Sequence, residues 1–270
     1  MSPFTLLGFA LGSLCALFAV LYFVARRVSN YGIVDIAWSY AFGLLALFYA
    51  ALGPGWGVRR LFIAVLAVIW SARLGTHLAL RVFKHHPQED TRYRQLRKDW
   101  AGRFAVKMFW FFQMQAVSVV VVGAAFLVIT LNPAAALHPL EWAGAILWLV
   151  AVSGEALADA QLAAFKRHPA HQERVCDVGL WRYSRHPNYF FEWLVWVAYF
   201  VFALASSWGL LAILGPAIML YLLLRVTGIP MTEAQSVRRR GDAYRRYQHT
   251  TSAFVPWFPK PHPPATTAPR

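Results

Sequence analysis

Cysteine and charge are both scarce in this chain. Two cysteines, Cys15 and Cys176, stand far apart and outside any paired motif. That excludes a disulfide framework and a cysteine-based metal knuckle. Only 14% of the 270 residues are charged, and only 12 of them are acids. A typical soluble domain carries roughly 25% charged residues. A water-soluble chain of this length, with 59% hydrophobic residues, could not hide its apolar surface. A bilayer accepts it.

What charge there is has a strong sign. The formal net charge is +14, from 26 Lys and Arg against 12 Asp and Glu. Nucleic-acid binding is one source of such a balance, but here the basic residues cluster between long apolar runs, and contact with anionic headgroups accounts for them without nucleic acid. The runs lie at about 4–25, 33–53, 61–80, 106–131, 140–163, 189–205 and 207–225. The first five reach the length of about 20 residues that crosses a hydrocarbon core. The last two are short and separated only by Ser206 and Ser207, so they read as a tight hairpin or a re-entrant pair. Residues 4–25 have no basic residue before them and no small-residue cleavage site after them, so they read as a span, not a signal peptide.

The expected fold is therefore an all-α polytopic bundle of about seven transmembrane helices. All of the 26 basic residues except Arg59, Arg60 and Arg73 then fall on one side. The positive-inside rule places the N-terminus outside and the C-terminus in the cytosol. Residues 1–258 read as one integral membrane domain, with an amphipathic cytosolic helix over 229–248 that starts near Pro230. The Pro-rich tail at 259–270 is expected to lack fixed structure. No internal repeat is evident.

Ionisable residues at membrane depth are costly and usually face the bundle interior. Asp35, Glu155, Asp159 and Glu192 occupy such positions, with Arg73 and His77. Each is a candidate for a site, against the alternative of a buried pair that only locks helix packing. Arg73, His77 and Arg81 recur at i, i+4 and i+8 on one helical stripe, a spacing suited to a phosphate or carboxylate, although Arg81 alone reads as reaching for headgroups. Glu155 and Asp159 are also i, i+4. No His or Cys stands at ligand spacing beside them, so no metal site is expected, and the pair His85 and His86 reads as solvated. Residues 179–193, GLWRYSRHPNYFFEW, are the most informative stretch. Pro187 suits the first turn of a helix, whose start then carries Asn188, Tyr189 and Glu192, with Arg182 and Arg185 just before it. These form a candidate pocket for a phosphate-bearing cofactor at the membrane–cytosol boundary. Glu233 is a candidate to reach back into it. Arg238, Arg239 and Arg240 read as a solvated or headgroup-facing run.

RYSRHPNYFFEW, followed by TEAQSVRRRGDAYRRYQHTTSAFVPWFP, resembles the C-terminal region of the steroid 5α-reductase superfamily, particularly its bacterial membrane branch. WSARLGTHLALRV, QEDTRYRQLRKDW and SGEALADAQLAAFK also resemble that branch, and the resemblance spans most of residues 30–258. It implies a seven-helix membrane protein, in a bacterial inner membrane, that binds NADPH from the cytosolic side and reduces a carbon–carbon double bond conjugated to a ketone. It assigns Asn188, Tyr189, Glu192 and Asp159 to the cofactor. Eukaryotic members polarise the ketone with a Gln-Glu pair on the second helix and a Tyr after a His on the third. Here the second helix offers Asp35, and His77 is followed by Leu78. Asp35, His77 and Tyr40 are the candidate acids for the reaction. The implied partners are a lipophilic small molecule and membrane lipids. RHPNY with a downstream acid also resembles membrane methyltransferases of the isoprenylcysteine and phospholipid types, which use S-adenosylmethionine. Their paired Glu-Glu is Thr232-Glu233 in this chain.

Overall fold

A computed structural model describes residues 1–85 and 88–261. The side chains of the His85–His86 pair and the tail beyond residue 261 lie outside the described residues. The described chain is helical, with one isolated bridge pairing Ser184 and Ser252. Its helices are α1 (Pro3–Arg27), α2 (Ile33–Leu52), α3 (Gly57–His85), α4 (Thr91–Asp99), α5 (Phe104–Val122), α6 (Ala124–Thr130), α7 (Pro139–Arg167), α8 (Pro187–Ala203), α9 (Leu214–Tyr221), α10 (Ile229–Arg240) and α11 (Asp242–Thr250).

Among the described residues, six helical stretches are long and apolar enough to cross a membrane: Pro3–Arg27, Ile33–Leu52, Gly57–Lys84, Ala101–Thr130, Pro139–Arg167 and Gly209–Arg240. The first five fall on the five long apolar runs of the sequence. The two short C-terminal runs have different fates. One forms the 17-residue α8. The other merges into the 32-residue stretch that ends at Arg240. That stretch is not one regular helix. Residues Leu222–Val226 form a π turn, closed by the Thr227 N–H to the Leu222 carbonyl at 2.9 Å. The single amphipathic helix expected over 229–248 is two helices. Gly241, with φ of 53°, takes a left-handed conformation that ends α10 and starts α11. The start near Pro230 is as expected, since Pro230 sits in the first turn of α10.

The chain divides into two compact units. The first comprises residues 1–145 and 199–215. Its helix α1 starts at Ser2, whose hydroxyl accepts from the Thr5 N–H at 3.1 Å, and buries the stripe Leu6, Ala10, Leu14, Phe18, Tyr22 and Ala25. Spacings of three and four put that stripe on one face, while Phe4, Phe9, Val20 and Phe23 stay exposed. Small residues bring α2 and α3 together, as expected where lipid supplies no hydrophobic drive between helices. The Ser71 hydroxyl donates to the Ser39 carbonyl at 2.6 Å and accepts from the Gly43 N–H at 3.1 Å. It thus bridges an i, i+4 pair in the backbone ladder of α2. A Cβ on Gly75 would lie 2.7 Å from the Tyr40 ring.

The most buried charges of this unit are Arg59 and Glu141, 1% and 0% exposed. The Arg59 Nε and one Nη2 hydrogen go to the Glu141 carboxylate, and the remaining donors reach the carbonyls of Asn132, Ala134 and Ala136. All five guanidinium hydrogens are used. The second unit comprises residues 146–198 and 216–270. Its small apolar cluster of Leu223, Ile229 and Phe254 packs beneath Tyr189, Phe190 and Trp193.

Candidate functional site

Within the second unit, α7 and α8 place Asp159 and Asn188 side by side. The Asn188 amide donates to Asp159 Oδ1 at 3.2 Å. One turn before Asp159 lies Glu155, 3% exposed, and one turn after Asn188 lies Glu192, 7% exposed. The Glu192 carboxylate accepts from the Trp196 indole at 3.2 Å. Four of the predicted cofactor residues therefore occupy two adjoining helices.

The close approach of α7 and α8 rests on a missing side chain. A Cβ on Gly154 would sit 2.5 Å from the Phe191 ring. Gly154→Val is expected to lower stability by about 1–3 kcal/mol through overpacking, read as a fall in the thermal midpoint in detergent. Gly12→Ala in α1, where nothing lies within 4 Å, is the matched control. It should be neutral or slightly stabilising, because alanine is the better helix former. No greater loss at Gly154 than at Gly12 would show that the α7–α8 approach does not depend on the missing side chain.

The segment before α8 is fastened to α7 and to the C-terminal helices. Gly179 adopts φ of 58°. The turn it permits lets the Leu180 N–H reach the Gln161 side chain at 2.9 Å and the Trp181 indole reach the Ala158 carbonyl at 2.9 Å. Arg185 then points inward. It pairs with Glu233 at 2.6 Å and donates to the carbonyls of Gln248 and Thr251 at 2.8 and 2.6 Å. The His186 ring lies 3.3 Å from the same Glu233 oxygen and stacks on Tyr189 with centroids 5.3 Å apart. Burial pushes the His186 imidazole below its ordinary value, against the pull of Glu233 in the other direction. The Gln248 amide donates to the second Glu233 oxygen at 2.8 Å. The Tyr189 hydroxyl meets Thr232 at 3.1 Å. Glu233 therefore reaches the motif, as the sequence allowed, but through Arg185 and His186. Arg182, by contrast, is exposed.

Two Arg residues of the 238–240 run are not simply solvated. Arg239 pairs with Glu173 at 2.6 Å, and Arg240 donates to the Arg174 carbonyl at 3.0 Å. They hold the loop after α7, because α10 ends beside its carbonyls and carboxylate.

In the first unit, Asp35 accepts from Arg92 at 2.7 Å and from the Tyr93 hydroxyl at 2.8 Å. Asp90 caps α4 through the Arg92 N–H at 2.9 Å, and Arg81 lies 3.7 Å from Asp90. The neighbouring arginines hold the Asp90 carboxyl below the usual range despite its burial. Tyr40 pairs with the Thr76 hydroxyl at 2.8 Å. Arg73 is half-buried and His77 exposed, one turn apart on α3. Arg92, Tyr93, His186 and Gln248 were not singled out from the sequence. His186 had a signal, since it lies inside RHPNY. The other three also lie inside stretches that carry the family resemblance, Arg92 and Tyr93 in QEDTRYRQLRKDW and Gln248 in the segment that starts at Thr232, but no spacing marked them individually.

The family profile for a protein of unknown function, DUF1295, matches residues 21–251. The chain belongs to that family. DUF1295 is the steroid 5α-reductase-like family to which the motifs pointed. A curated relative of this DUF1295 protein is the "Uncharacterized protein C594.04c" of Schizosaccharomyces pombe (strain 972 / ATCC 24843). It is 28% identical over 290 aligned positions, which cover 93% of this chain and 78% of the relative. No solved structure matches the chain. The all-helical membrane fold and the family together fit a membrane-embedded enzyme of the steroid reductase type.

Proposed function

We propose that this protein is an NADPH-dependent reductase of a lipid-like enone, of steroid or isoprenoid type, with its cofactor site on the cytosolic side of a bacterial inner membrane. The observation that carries the reading is the Asp159–Asn188 contact, flanked by the buried carboxylates Glu155 and Glu192. That donor set fits the cofactor: carboxylates accept from ribose hydroxyls, an amide can both donate to and accept from a carboxamide, and the exposed Arg182 suits a phosphate. NADPH supplies the hydride, which adds to the β-carbon of the conjugated bond. The chain's part is to bind and orient the dinucleotide, exclude water, steady the enolate oxygen and return a proton to the α-carbon. Arg185 contributes by positioning, since Glu233 and two carbonyls occupy its guanidinium.

The Arg185–Glu233 contact also favours a second reading, an S-adenosylmethionine-dependent methyltransferase, because that resemblance rests on RHPNY and a downstream acid. Binding to the purified full chain in detergent separates the two, with NADPH, NADH and S-adenosylmethionine as probes. NADPH is expected to raise the thermal midpoint. Asp159→Asn and Asn188→Ala should each weaken NADPH about tenfold, the loss of one charge-assisted hydrogen bond, without lowering the midpoint of the free protein as much. Stabilisation by S-adenosylmethionine alone would replace the first reading with the second. Undiminished NADPH binding in both variants would misplace the site.

A further inference from the structure

We propose that residues 255–260 form a membrane-interface anchor, in which Val255, Trp257, Phe258 and the neighbouring Tyr183 lie at the headgroup level of the bilayer. Trp257 is 69% exposed and Phe258 76%, with Val255 and Tyr183 also open. Large aromatic side chains clustered in the open mark an interaction surface.

The patch is held, not loose. The Ser184 hydroxyl donates to the Phe254 carbonyl at 2.8 Å. The Arg185 N–H reaches the Ser252 carbonyl at 2.8 Å, the Trp257 N–H the Tyr183 carbonyl at 2.9 Å, and the Lys260 N–H the Thr250 carbonyl at 2.8 Å. Tyr183 meets Phe258 edge-on at 6.2 Å.

Three observations commit the patch to lipid. Depth is the first. The Phe254 ring, immediately before the patch, packs on Phe190 and Trp193 at 5.7 and 5.8 Å. Those residues belong to the first two turns of α8, an apolar helix preceded by Arg182 and Arg185. The start of such a helix is where a bilayer passes from hydrocarbon to headgroups, the level at which Trp and Tyr are enriched. Charge is the second. Arg182 and Lys260 flank the aromatics and are both exposed, so lipid phosphates are within their chemistry. Backbone chemistry is the third. Pro256 and Pro259 have no N–H, and those of Trp257 and Lys260 are already bonded. Of the six residues, only Val255 and Phe258 then bring a further backbone donor to the interface. Because it pairs with Tyr183 and Arg185, the anchor would also fix the height of the segment that leads into Asn188.

The test uses the full chain reconstituted in vesicles of phosphatidylcholine and phosphatidylglycerol. In a Cys15→Ser, Cys176→Ala background, a nitroxide is attached at Trp257→Cys, at Phe258→Cys or, as reference, at Arg174→Cys. The ratio of collisions with oxygen to collisions with a water-soluble nickel chelate should be several-fold higher at 257 and 258 than at 174. A ratio equal to that at 174 would place the patch in water. Exclusion of both reagents would place it under another protein. Either result overturns the anchor. An independent readout needs no cysteine background: quenching of tryptophan emission by lipids brominated near the headgroup should fall in Trp257→Phe, and an unchanged value would also overturn it.

Discussion

Glu141→Ala is expected to destabilise the full chain by about 3–5 kcal/mol, the usual cost of leaving one partner of a buried ion pair behind. Arg59 keeps its three carbonyl acceptors in that variant but loses the only carboxylate bonded to it among the described residues, at 1% exposure. The Trp56 ring, 5.5 Å from the guanidinium carbon, remains beside the charge but carries no formal countercharge. The backbone also suffers, because the His138 N–H loses its acceptor, Glu141 Oε2, at 2.7 Å. Arg59→Met should cost less than Glu141→Ala, since a lone buried carboxyl can take up a proton and a guanidinium cannot release one. The measurement is a thermal or denaturant midpoint in one detergent for the two variants. A loss near that of a surface pair, under about 1 kcal/mol, would show that water reaches this pair in the folded protein.

The second large effect is expected at Arg185. Lysine keeps the charge but lacks the planar fork that serves Glu233, Gln248 and Thr251 together. Arg185→Lys should therefore cost about 3 kcal/mol, from one charged and two neutral-acceptor hydrogen bonds. The loss should be local as well as global. Amide exchange should quicken at Arg185 and at Trp257, whose N–H groups bind across this junction, before it quickens in α1. Glu233→Gln should give a milder version, because Arg185 retains its two carbonyls. If the lysine variant matched the native protein in exchange at these amides, Arg185 would not be what holds the C-terminal helices to the motif.

The membrane fold was legible because twenty-residue apolar runs admit few other outcomes. The two places that departed from expectation are both local backbone matters. The break at Gly241 depends on a positive φ inside an otherwise helical pattern, and the π turn at Leu222–Val226 depends on one displaced hydrogen bond. Neither changes hydropathy. Of the candidate site, the acids of α7 and α8 were singled out by depth and spacing. Which residues would pair was not legible, because periodicity tells which face a residue occupies and not what stands opposite. Asp35 finds Arg92 across 57 positions, and Arg185 finds Glu233 across 48. Arg59 was counted only as a charge on the sparsely basic side, while Glu141 drew no notice at the start of its run. Their pairing at 1% and 0% exposure is the deepest charge interaction in the first unit.

The pairing of Ser184 with Ser252 bears on the order in which the protein is made. Residues 183–185 leave the ribosome some seventy positions before Ser252, Phe254 and Trp257, the residues that bind them. Until those late residues emerge, the segment before α8 is held by Gln161 and Ala158 of α7 and by Glu233, and lacks its bonds to Ser252, Phe254 and Trp257. The proposed nucleotide site thus matures only after residue 257 has been made, and a nascent chain halted before residue 252 would carry the motif without the clasp that orients it.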